Sequence, residues 1–139
     1  LINLRLESMA FEEYFDNKTL RALSEHYLRI AIEAAIDLGR HVLAARSLKV
    51  PEEYKKIGQV LAQNGIIPLE IANKLTAMAG LRNILVHLYW DIDYCQIYQI
   101  VTTELENFDR YAQHIQAYVE KRLNLTCFFT GVHPAFTLL

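Results

Sequence analysis

Apolar residues recur at three- and four-residue steps along most of this chain, which is the periodicity of amphipathic α-helices. The longest pattern runs over residues 18–48 and places these side chains on one stripe: Leu20, Leu23, Tyr27, Ile30, Ala34, Leu38 and Ala45. A shorter pattern covers residues 8–15, and Asp16 and Asn17 follow it with side chains suited to cap a helix N-terminus. No segment shows the period-two alternation of paired strands. The pattern therefore predicts an all-α fold.

Prolines and glycines mark where the remaining helices begin and end. Pro51 and Pro68 stand where a first helical turn is expected, each with glutamate close behind it. Gly65 is placed to end the first of these two helices. Residues 93–96 have the spacing of a capping box and predict a last helix that ends near residue 122. The prediction is four main helices plus a short N-terminal helix.

Composition limits the compartment and the partners. With 139 residues the chain forms one domain, and its net charge of −2 leaves any polyanion to be held by a local patch. Cys95 and Cys127 have neither metal-site nor disulfide spacing, which is typical of a reducing cytosol. No run of about 18 apolar residues and no signal peptide is found. We expect a cytoplasmic protein with no membrane and no DNA partner.

The C-terminal residues differ in composition from the rest. Residues 123–139 contain no Asp, Glu, Lys or Arg, but three phenylalanines. A packed tail, a strip that contacts a partner and a non-native terminus would each account for this composition. The domain is accordingly assigned to residues 1–122, followed by an uncharged tail of unknown role at 123–139.

Residues 82–89 concentrate the side chains that are suited to chemistry on a phosphate. We expect one helix to continue through residue 93, and on its wheel Arg82, Tyr89 and Asp93 lie within about 40° of one another. Asn83 and His87, four residues apart, share a neighbouring line. The polar groups would then form one broad surface of the helix.

An arginine and a histidine can together cleave RNA without a metal ion. The guanidinium of Arg82 would hold the charge of the phosphorane. The imidazole of His87 would deprotonate the ribose 2′-hydroxyl or protonate the leaving 5′-oxygen. Acid and base are usually separate groups, so a symmetric dimer would supply both. Apolar Val86 within the polar arc also indicates a surface that is covered, for example by a second subunit.

Spacing alone leaves simpler interpretations open. A lone arginine and histidine near a helix end are more often structural, with the arginine paired to a carboxylate. We predict no metal site and no cofactor, because the other histidines lack acidic or cysteine partners at ligand spacing. These are His26, His41, His114 and His133.

The sequence of residues 82–89 resembles the R-x-x-x-x-H-x-Y motif of HepT-like toxins, which belong to the HEPN superfamily. The resemblance extends over residues 27–37, 50–54, 78–83 and 86–93, and covers roughly residues 18–121 in all. It implies an α-helical up-and-down bundle that forms a homodimer or a higher homo-oligomer, with the two motif helices facing a composite cleft.

The resemblance also implies an activity and a partner. Members are ribonuclease toxins that cleave RNA, either tRNA or mRNA, within two-component toxin–antitoxin modules. Their partner is an MntA-like nucleotidyltransferase antitoxin that transfers AMP to the motif tyrosine. Carried over, Arg82 and His87 would be the catalytic pair, Asn83 a cleft-lining neighbour and Tyr89 the AMPylated residue. An anionic AMP on the flank of Arg82 would block RNA.

Two other hypotheses belong to different classes. In the first, the chain is a non-catalytic subunit that binds nucleotide at the Arg82 cleft or presents Tyr89 to a nucleotidyltransferase. In the second, it is a helical dimer in which arginine and histidine are structural. Toxicity on expression and metal-independent RNA cleavage that depends on His87 would distinguish the toxin from both.

Overall fold

The computed structural model describes residues 6, 8–87 and 89–130, and the side chains of all of these except 89 and 125–130. They form six α-helices: α1 Phe11–Asp16, α2 Lys18–Ala45, α3 Tyr54–Gln63, α4 Leu69–His87, α5 Tyr94–Gln99 and α6 Glu106–Thr130. A 3-10 turn, Tyr89–Asp91, follows α4, and a π-helical turn, Ile100–Glu104, joins α5 to α6. No strand occurs in this part of the chain. The all-α prediction is confirmed.

Short polar side chains and one glycine set the helix ends as predicted. The Asn17 side chain accepts a hydrogen bond from the Leu20 backbone N–H at 3.0 Å and caps α2. Asp93 accepts from two backbone N–H groups at 2.9 and 3.3 Å and caps α5. Gly65 has a φ of +69° just after α3, a conformation that other residues rarely adopt.

The predicted last helix is interrupted by the π turn and is longer than expected. Hydroxyl groups of Thr102 and Thr103 donate to the carbonyls of Tyr98 and Gln99, each at 2.7 Å, and so satisfy acceptors at the turn. Helix α6 continues to Thr130 instead of ending near residue 122. Residues 123–130 of the predicted tail are thus helical, and residues 131–139 lie outside the described residues. The domain boundary at 122 stays a prediction.

The predicted helix start at Pro51 is wrong. Helix α3 begins at Tyr54, and Glu53 precedes it with extended backbone, at φ −80° and ψ 123°. The Glu53 carboxylate is held by Lys56 Nζ at 2.7 Å, within the first turn. Pro51 therefore belongs to the extended connection that leads from α2 into α3, and not to the helix itself.

The apolar stripe that marked α2 in the sequence lies largely on the exposed face of the helix. Leu23, Tyr27, Ile30 and Leu38 are 39, 51, 44 and 37% exposed. The face that enters the core comprises Ser24, Leu28, Ile32, Ala35, Ile36, Gly39, Val42 and Leu43. The helix has apolar residues on two sides, and periodicity does not tell which side meets the other helices. The exposed set, Leu23, Tyr27, Ile30 and Leu38, is called the α2 stripe below.

Close packing of α2, α3, α4 and α6 builds the core. A Cβ on Gly39 of α2 would lie 2.8 Å from Tyr111 Oη of α6, and one on Gly58 of α3 would lie 2.7 Å from the Ala72 carbonyl of α4. The Tyr111 hydroxyl donates to the Ala35 carbonyl at 2.8 Å. Both glycines thus let neighbouring helices approach closely. No helix in the described part has the length and apolar character needed to cross a membrane.

The motif does not lie on one continuous helix. Helix α4 ends at His87, and the backbone then forms the 3-10 turn before α5 starts at Tyr94. The predicted common flank of Arg82, Tyr89 and Asp93 is therefore wrong, because Asp93 caps the next helix instead. Leu88 and the side chain of Tyr89 lie outside the described residues.

Candidate functional site

Arg82 lies on α4 and reaches across to α2. Its Nε donates to Glu33 Oε1 at 3.3 Å, and its second terminal nitrogen lies 3.3 Å from the same oxygen. The Arg82 side chain is 18% exposed and that of Glu33 33%. The guanidinium is thus held in place by a carboxylate and still reaches the surface. Such a placement suits an arginine that must meet a phosphate in a fixed orientation.

A second arginine shares the same carboxylate. Arg29 lies one turn before Glu33 on α2, and its NH1 is 3.4 Å from each carboxylate oxygen. Two guanidinium groups therefore converge on one negative charge. The excess positive charge makes this part of the surface attractive to an anion even though the whole protein is slightly acidic.

Tyr54, the first residue of α3, completes the surroundings of Arg82. The Arg82 guanidinium carbon lies 5.1 Å from the centroid of the Tyr54 ring, and that of Arg40 lies 5.8 Å from it. Both distances are within the range of cation–π contacts. Three helices, α2, α3 and α4, thereby fix one guanidinium.

His87 stands apart from this cluster. As the last residue of α4 it is exposed, and it makes no hydrogen bond to any side chain that the structure describes. A separation of five residues places His87 about 140° around the helix from Arg82 and about 7.5 Å further along it. Asn83 is half-buried on the arc between them. Both Arg82 and His87 reach the surface, and no hydrogen bond joins them within one chain.

A groove of about 310 Å³ runs between α2 and α4 beside the motif. Its lining residues are Ala22, Glu25, His26, Arg29, Leu85 and Val86. Val86, predicted to be covered, is half-buried in this groove. Nearby, the Glu25 carboxylate raises the pKa of the Tyr94 phenol above its ordinary value through a hydrogen bond.

The residues of this site were only partly evident in the sequence. Arg82, Asn83 and His87 could be identified there, whereas Glu33 and Tyr54 become neighbours of Arg82 only through the packing of α2 and α3 against α4. The spacing of Arg29 and Glu33 at i and i+4 was the available signal, but it also describes an ordinary surface ion pair. Within the described part of the chain, no three His, Cys, Asp or Glu side chains gather as metal ligands would.

The chain is similar to known proteins over most of its length. Residues 1–115 match the family described as ribonuclease HepT-like. The chain is 28% identical over 117 residues to a tRNA nuclease HepT from Aphanizomenon flos-aquae, which covers 83% of this chain and 78% of the relative. It is 32% identical over 90 residues to an mRNA nuclease HepT from Shewanella oneidensis, at 65% and 68% coverage.

The fold is similar to that of a solved complex. The tri-AMPylated Shewanella oneidensis HEPN toxin, in complex with MNT antitoxin, superposes with a TM-score of 0.74 at 27% identity. The match covers 83% of this chain and 86% of that toxin. The match to the tRNA nuclease and the match to the solved toxin each cover 83% of this chain.

Proposed function

Because the chain belongs to the HepT-like ribonuclease family, we propose that it is the endoribonuclease toxin of a toxin–antitoxin module. The observation that carries the proposal is Arg82, held by Glu33 and Tyr54 at the surface of the motif helix. Relatives that are named as tRNA and mRNA nucleases favour this function over a non-catalytic partner subunit. RNA, in the cytoplasm, is the proposed substrate.

The chemistry is metal-independent transesterification at one phosphodiester. The ribose 2′-oxygen attacks the phosphorus, and the bond from phosphorus to the 5′-oxygen breaks. His87 takes the 2′-proton or gives a proton to the leaving oxygen, while Arg82 stabilises the negative charge on the phosphorane. The products are a 2′,3′-cyclic phosphate and a free 5′-hydroxyl. Asn83 lines the cleft between the two groups.

A homodimer would complete the site. Each chain supplies one imidazole, although this reaction needs both a base and an acid. The α2 stripe exposes large apolar side chains on the helix that also carries Glu33, which is the surface that a second copy would cover. We therefore place the two motif helices of a symmetric dimer at one composite cleft, with one Arg82 and one His87 from each subunit.

The proposed regulator is an MntA-like nucleotidyltransferase antitoxin that AMPylates Tyr89. The similar toxin from Shewanella oneidensis is AMPylated and bound to its antitoxin, which supports this partner. Tyr89 follows His87 by two residues, in the 3-10 turn. AMP attached there would bring a bulky anion next to the catalytic histidine and oppose the binding of RNA.

Cleavage assays test the enzyme directly. Purified protein should cut RNA in excess EDTA and leave a cyclic phosphate end, and His87→Ala should abolish the activity without lowering thermal stability. His114→Ala, which changes another exposed histidine on α6, is the matched control and should remain active. Equal cleavage by the wild type and His87→Ala would refute the assignment.

Mass spectrometry tests the modification. Incubation with the antitoxin and ATP should add AMP to the wild type but not to Tyr89→Phe. Tyr27→Phe, an exposed tyrosine on α2, should be labelled like the wild type. Labelling of Tyr89→Phe at the wild-type level would place the modified residue elsewhere.

A further inference from the structure

Cationic side chains on three helices share a partner with Arg82 or adjoin Tyr54, an arrangement that the catalytic reaction alone does not need. Arg29 and Arg40 lie on the same side of α2, eleven residues and about 16 Å apart. The guanidinium carbons of Arg40 and Arg82 both contact the Tyr54 ring, at 5.8 and 5.1 Å from its centroid. We propose that Arg29, Arg82, Tyr54, Arg40 and Lys55 form a track that binds a single-stranded segment of the RNA substrate.

Lys55 extends the track on the α4 side. Its side chain lies across Gly80, where an added Cβ would come within 3.3 Å of Lys55 Cε. Lys55 makes no ion pair with a carboxylate in the described part of the chain, whereas the adjacent Lys56 is bound to Glu53 at 2.7 Å. Two neighbouring lysines of one helix thus differ in whether their charge is already compensated.

The charge balance of the track favours a polyanion. Arg29, Arg40, Lys55 and Arg82 contribute four positive charges, against the three carboxylates of Glu25, Glu33 and Asp37 on the same side of α2. The span of about 16 Å between Arg29 and Arg40 is longer than a single phosphate group. A surface of this size binds a stretch of backbone and not only the scissile phosphate.

Tyr54 gives the track its preference for single strands. Its half-buried ring is held by two guanidinium groups, so it is already rigid before a ligand arrives. An unpaired base can stack on the outer plane of a guanidinium group held in this way, and stacking accepts any base because every base has a π-face. In a duplex the bases are stacked on one another and their faces are not available.

The inference rests on the proposed ribonuclease function, but binding can be measured without cleavage. In a His87→Ala background, the affinity for a fluorescent single-stranded RNA is measured by anisotropy over a series of salt concentrations. Arg40→Gln with Lys55→Gln should weaken binding about ten- to thirtyfold and reduce the salt slope by about 1.4, which is about 0.7 for each lost phosphate contact.

A matched pair removes the same charge elsewhere. Lys56→Gln with Arg110→Gln also loses two cations, but both are already paired with carboxylates, Glu53 and Glu70. In this control variant, the salt dependence of the RNA affinity should have the same slope as in the wild type. Tyr54→Ala should weaken single-strand binding about five- to a hundredfold and leave duplex binding unchanged, whereas Tyr54→Phe should keep both affinities.

Three outcomes would refute the proposal that the track binds single-stranded RNA. They are an equal loss in the matched control, an equal affinity of the wild type for duplex RNA, and track variants that lose the antitoxin while their RNA binding is unchanged. In each case His87-dependent cleavage would leave the proposed function intact. If the wild type does not cleave RNA, the proposed ribonuclease function is refuted, whereas the measured RNA binding is unaffected.

Discussion

At the scale of single residues, the site depends on a carboxylate that is not part of the sequence motif. Glu33 accepts from Arg82 and Arg29 together, so it holds two cations that would otherwise repel each other. The same carboxylate opposes the approach of a phosphate. Glu33 therefore fixes the orientation of Arg82 but weakens the attraction of this surface for RNA.

Glu33→Gln should separate these two effects. Turnover should fall roughly ten- to a hundredfold because Arg82 loses its fixed orientation, while RNA should bind more tightly because a negative charge is removed. Single-turnover cleavage gives the rate, and RNA binding by Glu33→Gln in a His87→Ala background gives the affinity. If turnover and RNA affinity fall together, Glu33 serves only the stability of the fold. Glu104→Gln is the control, because it breaks a different ion pair, that of Glu104 with Lys74.

At the scale of helices, close approach decides which glycines are replaceable. Gly58→Ala would push a methyl group against the Ala72 carbonyl, so we expect a loss of about 1–3 kcal/mol in the free energy of unfolding. Gly80→Ala meets only the flexible end of Lys55 and should be neutral or stabilising by up to about 1 kcal/mol, because alanine favours the helix. Urea unfolding measures both. Equal effects would show that helix propensity and not packing controls these positions.

The contact between α2 and α6 should make stability fall at alkaline pH. Burial raises the pKa of the Tyr111 phenol above its ordinary value of 10.0, and its hydroxyl donates to the Ala35 carbonyl. The neutral form is the one favoured by folding, so its contribution is complete below pH 10 and is lost as the pH rises above that value.

Tyr111→Phe tests this dependence. At pH 8 the variant should be about 1 kcal/mol less stable than the wild type, because the hydrogen bond is lost. At pH 11 the difference should narrow, since ionisation of the tyrosine then stabilises only the unfolded wild type. Urea midpoints at both pH values give the comparison, with Tyr118→Phe, a partly exposed tyrosine on α6, as the control. If the stability difference between Tyr111→Phe and the wild type stays constant or grows from pH 8 to pH 11, Tyr111 is not the source of the alkaline loss of stability.

At the scale of the whole molecule, the α2 stripe predicts how two copies meet. Ile30→Glu should weaken the dimer at least about a hundredfold, because a charge would be buried without a partner. Val119→Glu changes a similarly exposed apolar residue, 40% against 44%, on α6. Light scattering should show Ile30→Glu as a monomer and Val119→Glu as a dimer. The opposite result would place the interface on α6.

The sequence by itself determined the helical class, most helix ends and the motif. Local signals were sufficient for these: Asn17 and Asp93 cap the helices predicted to start at them, and Gly65 ends α3. Such features depend on residues within a few positions of one another. The motif was likewise contained in one short segment, residues 82–89.

Only the tertiary structure decided which face of α2 is buried and what surrounds Arg82. Helix α2 carries apolar residues on two sides, and Leu28 and Ile32 rather than Tyr27 and Ile30 meet the other helices. Glu33 is 49 positions from Arg82 in sequence, and the pairing exists only because α2 and α4 pack together. Periodicity reports the hydrophobicity of a face, whereas burial depends on the partner that the fold brings to it.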